Sequence, residues 1–197
     1  VHEQNAVPGK LNRLVGRFAE KVFVTFPETL SLFPGNGALT GYPVRKRIGH
    51  VAPQEARTRL DFTVPEGRTV VFVFGGSQGS RSLNRGLVDS LGDLMPHAAR
   101  LFVVHGTGLF KGGGYDAEAD TAARLAARYT EEERARIATF YLSRSYFHDI
   151  ASVYALAGLV VIRGGSGSLN EVARMGIPAL VVPKANLPGD HQVANAR

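Results

Sequence analysis

Two segments of the chain set glycines and small hydroxyls directly behind apolar runs: Gly75-Gly76-Ser77-Gln78-Gly79-Ser80 and Arg163-Gly164-Gly165-Ser166-Gly167-Ser168. Glycine lets a backbone approach a ligand closely, and the first turn of a following helix offers unpaired N–H groups and a positive dipole end to a phosphate. The first segment is not G-x-G-x-x-G, which argues against a nicotinamide oxidoreductase. It is not a Walker A loop either, because no Lys-Ser/Thr follows. A tight strand-to-helix turn without a ligand is the plain alternative for each loop, and two such loops weaken it for both. Glu171 lies three residues beyond Ser168, in what reads as the first turn of a helix. That spacing has two readings: a capping box, in which the carboxylate serves the helix itself, or an acid beside a phosphate-binding helix, accepting hydrogen bonds from a ribose diol.

Other reactive side chains cluster at the two ends. His2-Glu3-Gln4-Asn5 opens the chain, and an imidazole that titrates near neutrality makes His2 a candidate general base. Asp190-His191-Gln192-Val193-Ala194-Asn195 closes it; two potential ligands without further partners do not make a metal site. Cysteine is absent, which excludes a disulfide framework, a thiolate metal site and a cysteine nucleophile. The formal charge is +6 with a pI near 9.9, a surplus that suits an anionic partner. No aromatic residues interleave with the basic ones as a base-stacking surface requires, which ranks nucleic acid low. No apolar run approaches transmembrane length, and no signal peptide opens the chain. Val1 leads straight into His2 without an initiator Met, as the interior of a longer protein would.

These groups need elements to hold them. Leu11, Leu14, Val15, Phe18 and Val22 recur at helical spacing after Pro8, with Lys10, Arg13, Arg17 and Lys21 together on another face. That basic face could meet an anionic membrane surface, or simply be solvated. A strand is expected over 22–26, and residues 46–68 read as an interdomain connection with one short helix near 53–60. Beyond it, strands at 69–74, 101–105, 136–142, 159–162 and 179–182 alternate with helices at 81–94, 117–129, 149–157 and 168–175. Such alternation predicts an α/β fold with a parallel sheet and right-handed crossovers. Ligands in such sheets sit outside the carboxyl ends of the strands, where both glycine loops fall.

Taken in order, five segments resemble the MurG family, the lipid-II-forming N-acetylglucosaminyltransferases. His2-Glu3-Gln4-Asn5-Ala6 with Asn12-Arg13 is similar to the family's H-E-Q-N-A segment, and Thr40-Gly41-Tyr42-Pro43-Val44-Arg45 to its T-G-N-P-V-R. Gly75 to Asn84 resembles G-G-S-Q-G-A-x-x-L-N, Ala157 to Pro178 resembles the unit carrying the ribose-binding glutamate, and Asp190-His191-Gln192 with Asn195-Ala196 resembles D-H-Q-x-x-N-A. There are departures: Tyr146-Phe147-His148-Asp149-Ile150 stands for F-I-x-D-M, His105-Gly106-Thr107-Gly108 for H-Q-x-G, and 164–167 is richer in glycine than S-G-A or A-G-A.

The resemblance implies a GT-B glycosyltransferase. Residues 1–44 would form the end of an acceptor or membrane-associated domain, and 45–197 a Rossmann-like donor domain truncated at its C-terminal end. It implies that Arg45 and Ser77 contact a diphosphate, Gln78 lies near the sugar-phosphate, and backbone groups at Phe147 meet uracil. Glu171 would hold the ribose. Gly165 and Ser166 would line the diphosphate side, His191 and Gln192 would touch sugar and diphosphate, and His2 and Asn5 would face the acceptor across the cleft. The implied reaction moves N-acetylglucosamine, with inversion, from UDP to the muramyl 4-hydroxyl of an undecaprenyl-pyrophosphoryl muramyl-peptide lipid. No metal or other cofactor is obligatory in it. The implied location is cytoplasmic, peripheral on the inner face of the membrane through Lys10, Arg13, Arg17 and Lys21. Two alternatives stand beside it: another enzyme on the same scaffold, such as a UDP-sugar epimerase, and a UDP-sugar-binding module that works with a separate acceptor-domain protein.

Overall fold

The computed structural model describes residues 1–184 and 190–197. Its first unit is a three-stranded parallel sheet. β1 (His2–Glu3) is followed by α1 (Lys10–Val15), then β2 (Val22–Val24), a 3-10 turn over Pro27–Leu32, and β3 (Gly37–Leu39). The strand order is β1-β2-β3. Val22, Val24 and Phe33 form its small core. Asn36, whose amide donates to the carbonyls of Gly16 and Ala19 at 2.7 and 2.9 Å, ties the end of the helical turn to the start of β3. The expected helix is shorter than its periodicity suggests, because Gly16 ends it. Of its apolar face only Val22, which lies in β2, reaches a core; Phe18 is 85% exposed and Leu11 70%.

Residues 46–68 are docked rather than loose. They contain α2 (Pro53–Arg59), with proline at its first position, where a missing N–H costs nothing. Ile48 and Val64 are buried in the main core, with Val51, Leu60 and Phe62 packed against it. Arg59 Nε donates to Asp149 Oδ2 at 2.8 Å.

The second unit carries β4 (Thr69–Phe74), α3 (Arg81–Leu94), β5 (Leu101–Gly106), the hairpin β6 (Lys111–Gly112) and β7 (Tyr115–Asp116), α4 (Ala117–Arg128), α5 (Glu131–Ala138), β8 (Tyr141–Arg144), α6 (Ile150–Leu156), β9 (Ala157–Ile162), α7 (Ser166–Met175), β10 (Ala179–Val181) and α8 (His191–Asn195). The five strands of the main sheet are all parallel, in the order β10-β9-β4-β5-β8. β4 feeds β5 on one side and pairs with β9 on the other, so the winding reverses there. A reversal of this kind opens a crevice at the carboxyl ends of the strands. β4 is buried on both faces, as parallel strands are: Phe72 and Phe74 enter one core with Tyr154 and Ile162, while Val73 enters another with Val88 and Phe140.

In the second unit α5 departs from expectation. Residues 136–138 end α5 instead of starting a strand, and β8 begins five residues later than expected. α5 has a single buried residue, Ile137, and so no apolar stripe to read. Its signal is the capping box, Thr130 Oγ1 accepting from Glu133 N and Glu133 Oε2 from Thr130 N.

Candidate functional site

The loop from β4 into α3 is shaped by two glycines in the left-handed region, Gly79 (φ 77°) and Gly108 (φ 97°). They lie backbone to backbone; a Cβ on Gly79 would overlap the carbonyl oxygen of Thr107, and one on Gly108 would overlap Gly79 N. Beneath this contact runs a buried polar chain. Asn84 Nδ2 donates to Thr107 O at 2.7 Å, which leaves Asn84 Oδ1 as the acceptor facing His105 Nε2 at 3.1 Å. The proton therefore sits on Nε2, and His105 Nδ1 accepts from the Tyr141 hydroxyl at 2.7 Å. Burial pushes His105 down to about 3, so it stays neutral.

The loop from β9 into α7 is supported differently. Gly164 presses on α8, where any Cβ would overlap Gln192 O. The Ser166 hydroxyl donates to the Gln4 carbonyl. Asn195, buried, donates to Gly164 O at 3.1 Å and Asn5 Oδ1 at 3.0 Å, and accepts from Ala6 N at 2.8 Å. α7 therefore begins against the N-terminal unit. It starts at Ser166 with Gly165 as N-cap, so Ser168 is inside the first turn and caps nothing. This removes the capping-box reading and places Glu171 in the second turn, not the first.

Between the two loops lies a cavity of about 210 Å³ lined by Phe72, Phe74, Ser77, Phe147, Arg45 and Glu171, among others. Phe147 meets Phe72 edge to face at 5.7 Å and Phe62 at 6.0 Å, which makes its ring a fixed wall. Glu171 Oε1 accepts from Arg45 Nη2 at 2.7 Å and Nε at 3.1 Å. Burial works against the Arg45 charge, but the Glu171 carboxylate outweighs it and raises the guanidinium pKa.

The predicted residues thus separate. Arg45, Ser77, Phe147 and Glu171 share the cavity. Gln78 and Gln192 line a larger adjoining cleft of about 820 Å³ with Arg81, Arg163 and Lys184. Burial lowers the pKa of Arg163. His191 begins α8 beside Gln192 and lines neither space. Gly165 and Ser166 line neither one, and the Ser166 hydroxyl expected toward a diphosphate is engaged by Gln4 instead. Asn5, expected to face an acceptor, has its amide engaged by Glu3 and Asn195. His2 Nε2 stands 3.3 Å from Gly41 O, so that nitrogen carries the proton and Nδ1 is the basic atom. Glu3, singled out for no role of its own, is buried and accepts from Asn5 N, Gly9 N and Asn12 Nδ2 at 2.9–3.0 Å, which folds the opening loop. Sequence reading missed Tyr154 and quoted Asn195 without giving it a role; both roles depend on partners far along the chain. Among the described residues, no group of three or more His, Cys, Asp or Glu side chains could hold a metal ion.

The strand order and the switch-point cavity define a doubly wound α/β domain, and the family and structure it matches make it a glycosyltransferase domain of GT-B type. The chain belongs to glycosyltransferase family 28: the family's C-terminal domain matches residues 70–197. The resemblance read from the five motifs extends over the whole chain. It is 36% identical over 200 residues, the full chain and 50% of the relative, to the UDP-N-acetylglucosamine--N-acetylmuramyl-(pentapeptide) pyrophosphoryl-undecaprenol N-acetylglucosamine transferase of Desulforudis audaxviator. It is 31% identical to the protein of the same name from Thermodesulfovibrio yellowstonii, covering 99% of this chain and 49% of the relative. The crystal structure of Acinetobacter baumannii MurG superposes with a TM-score of 0.59 at 28% identity, over 99% of this chain and 48% of that one. A glycotransferase of kitacinnamycin, 20% identical with a TM-score of 0.55 over 95% of this chain and 41% of that one, shares the fold. The chain spans about half the length of the curated relatives it matches.

Proposed function

We propose that the chain binds a UDP-sugar donor, UDP-N-acetylglucosamine, as the donor unit (residues 45–197) of a transferase acting on a lipid-linked muramyl acceptor. Residues 1–44 would belong to the acceptor side. The observation that carries this reading is the switch-point cavity, where an aromatic wall, a glycine loop, a guanidinium and a carboxylate converge. In this reading the base lies against Phe147, Glu171 accepts from the ribose hydroxyls, and Arg45 and Ser77 meet the diphosphate. The sugar extends past Ser77 toward Gln78, Gln192 and the cleft beyond. Arg45 and the start of α3, whose N-cap Ser80 makes no side-chain capping bond to the helix N–H groups, would stabilise charge on the departing diphosphate without a metal. His2, held against Gly41 on the segment leading to Arg45, is the proposed acceptor-side base. Isothermal calorimetry with UDP-N-acetylglucosamine, UDP-galactose and GDP-mannose tests the reading. Tightest binding of UDP-N-acetylglucosamine is expected, and no preference for uridine nucleotides by the folded chain overturns it.

A second surface supports membrane attachment. Leu11, Leu14, Val15 and Phe18 are exposed together beside Lys10, Arg13, Arg17 and Lys21, an apolar patch with a basic surround that suits an anionic bilayer face. This is the proposed basis for a peripheral location at the inner face of the membrane. No helix among the described residues is long and apolar enough to cross one.

A further inference from the structure

We propose that Tyr154 is a positioning residue for Glu171: its buried hydroxyl holds the carboxylate oxygen that Arg45 does not, so that the acid is already aimed when a ribose arrives. The inference rests on the reading of Glu171 as the ribose acceptor.

Glu171 reaches the cavity from the second turn of α7 on a side chain with three free torsions, and an unrestrained carboxylate there loses rotamer entropy on binding. Arg45 restrains one oxygen only, since both of its contacts fall on Oε1, and Arg45 itself is loosely held, its side chain 56% exposed. The other oxygen, Oε2, accepts from the Tyr154 hydroxyl at 3.1 Å. Tyr154 is 1% exposed. Its ring meets Phe72 at 5.6 Å and Phe74 at 5.9 Å, both nearly edge-on. These two rings also line the cavity. The hydroxyl therefore cannot follow the carboxylate if it swings away, and the base-facing wall and the acid are registered through one side chain. Burial, and then the neighbouring Glu171 charge, hold the phenol well above its ordinary range, so it remains a donor throughout the working pH range. A carboxylate has about four acceptor positions; Arg45 and Tyr154 fill three. One position remains, on Oε2, for a ribose hydroxyl; a second hydroxyl can be accepted only where Arg45 gives up one of its two contacts on Oε1.

A buried tyrosine could also be bonded to a carboxylate for stability alone, and the nucleotide chosen as probe separates the two roles. Calorimetry compares UDP with 2′,3′-dideoxy-UDP on the full chain, on Tyr154→Phe, on Glu171→Gln and on the double variant. The unsubstituted chain should prefer UDP by roughly tenfold or more, the worth of a hydrogen bond to a charged group. Tyr154→Phe should cut that preference to about threefold or less while changing dideoxy-UDP affinity by less than about twofold. Added to Glu171→Gln, it should cost nothing further. The ratio within one variant is independent of how much of it is folded, because unfolding weakens both nucleotides equally. Full preference retained in Tyr154→Phe, or equal loss for both nucleotides, overturns the positioning role. No preference in the unsubstituted chain overturns the ribose reading itself, and the inference with it.

Discussion

The loop after β4 and the loop after β9 are built from almost the same residues and end neighbouring strands of one sheet, yet they are held in place by different means. The first is supported from within its own unit. Gly79 and Gly108 interlock, and the Asn84–His105–Tyr141 chain lies underneath. Its helix start is left facing open space. The second is supported from outside, by Gln4, Asn5 and Ala6 through Ser166 and Asn195. Closely similar local chemistry therefore gives one loop free to meet a ligand on its flank and another that doubles as the joint between two sheets. The lesson is that a glycine loop's composition reports what its backbone can do, while its neighbours decide which of its groups remain to do it.

The largest effect should come from breaking the outside support. Asn195→Ala removes the partners of the buried Gly164 O and of the half-buried Ala6 N and Asn5 Oδ1 at once, a loss of about 2–3 kcal/mol. Urea unfolding should show it, and hydrogen exchange should show β1–β3 loosening ahead of the main sheet. A change under about 0.5 kcal/mol would mean the joint contributes nothing.

The inside support should fail with acid. His105 is held at about 3 in the folded chain, against about 6.5 when unfolded. Between those values the unfolded chain binds a proton that the folded chain does not. The stabilisation is complete above the unfolded value and is lost as pH falls toward the folded one. From pH 7 to pH 5 the chain should lose about 2 kcal/mol by this route. His105→Gln, followed by the same unfolding measurement, should flatten that slope.

The smallest effects sharpen the contrast at α7. Glu171→Ala should weaken UDP binding by roughly 1–2 kcal/mol, read by calorimetry. Ser168→Ala should shift stability by less than about 0.5 kcal/mol, because the serine caps nothing. A loss near 1 kcal/mol from Ser168→Ala would restore the capping box that the geometry removes.

Much of this was legible beforehand for definite reasons. β4, β5 and β9 are continuous apolar runs bounded by glycine, and α3 has an uninterrupted helical stripe, so the alternation and the parallel sheet could be read directly. α5 could not, since a helix with one buried residue leaves no periodic trace beyond its cap. The exposure of Leu11 and Phe18 was hidden too: the spacing defines an apolar face without saying whether anything covers it. At the site, Arg45, Ser77, Phe147 and Glu171 were picked out separately from four distant stretches of chain. That they share one cavity, and that Arg45 and Glu171 are bonded to each other, is a fact of packing.

By itself the sequence determined which backbones could approach a ligand, which strands would be buried on both faces, and the family to which the ordered motifs belong. Those are local properties, set by side-chain size, branching and periodicity within a few residues. The tertiary structure decided that Ser166 faces Gln4 and not the cavity, that Ser168 is no cap, and that Tyr154 and Asn195 hold the groups on which the site depends. Apart from Ser168, which depends on where α7 starts, these turn on hydrogen bonds between residues far apart in the chain, and only the folded arrangement brings such partners within bonding distance.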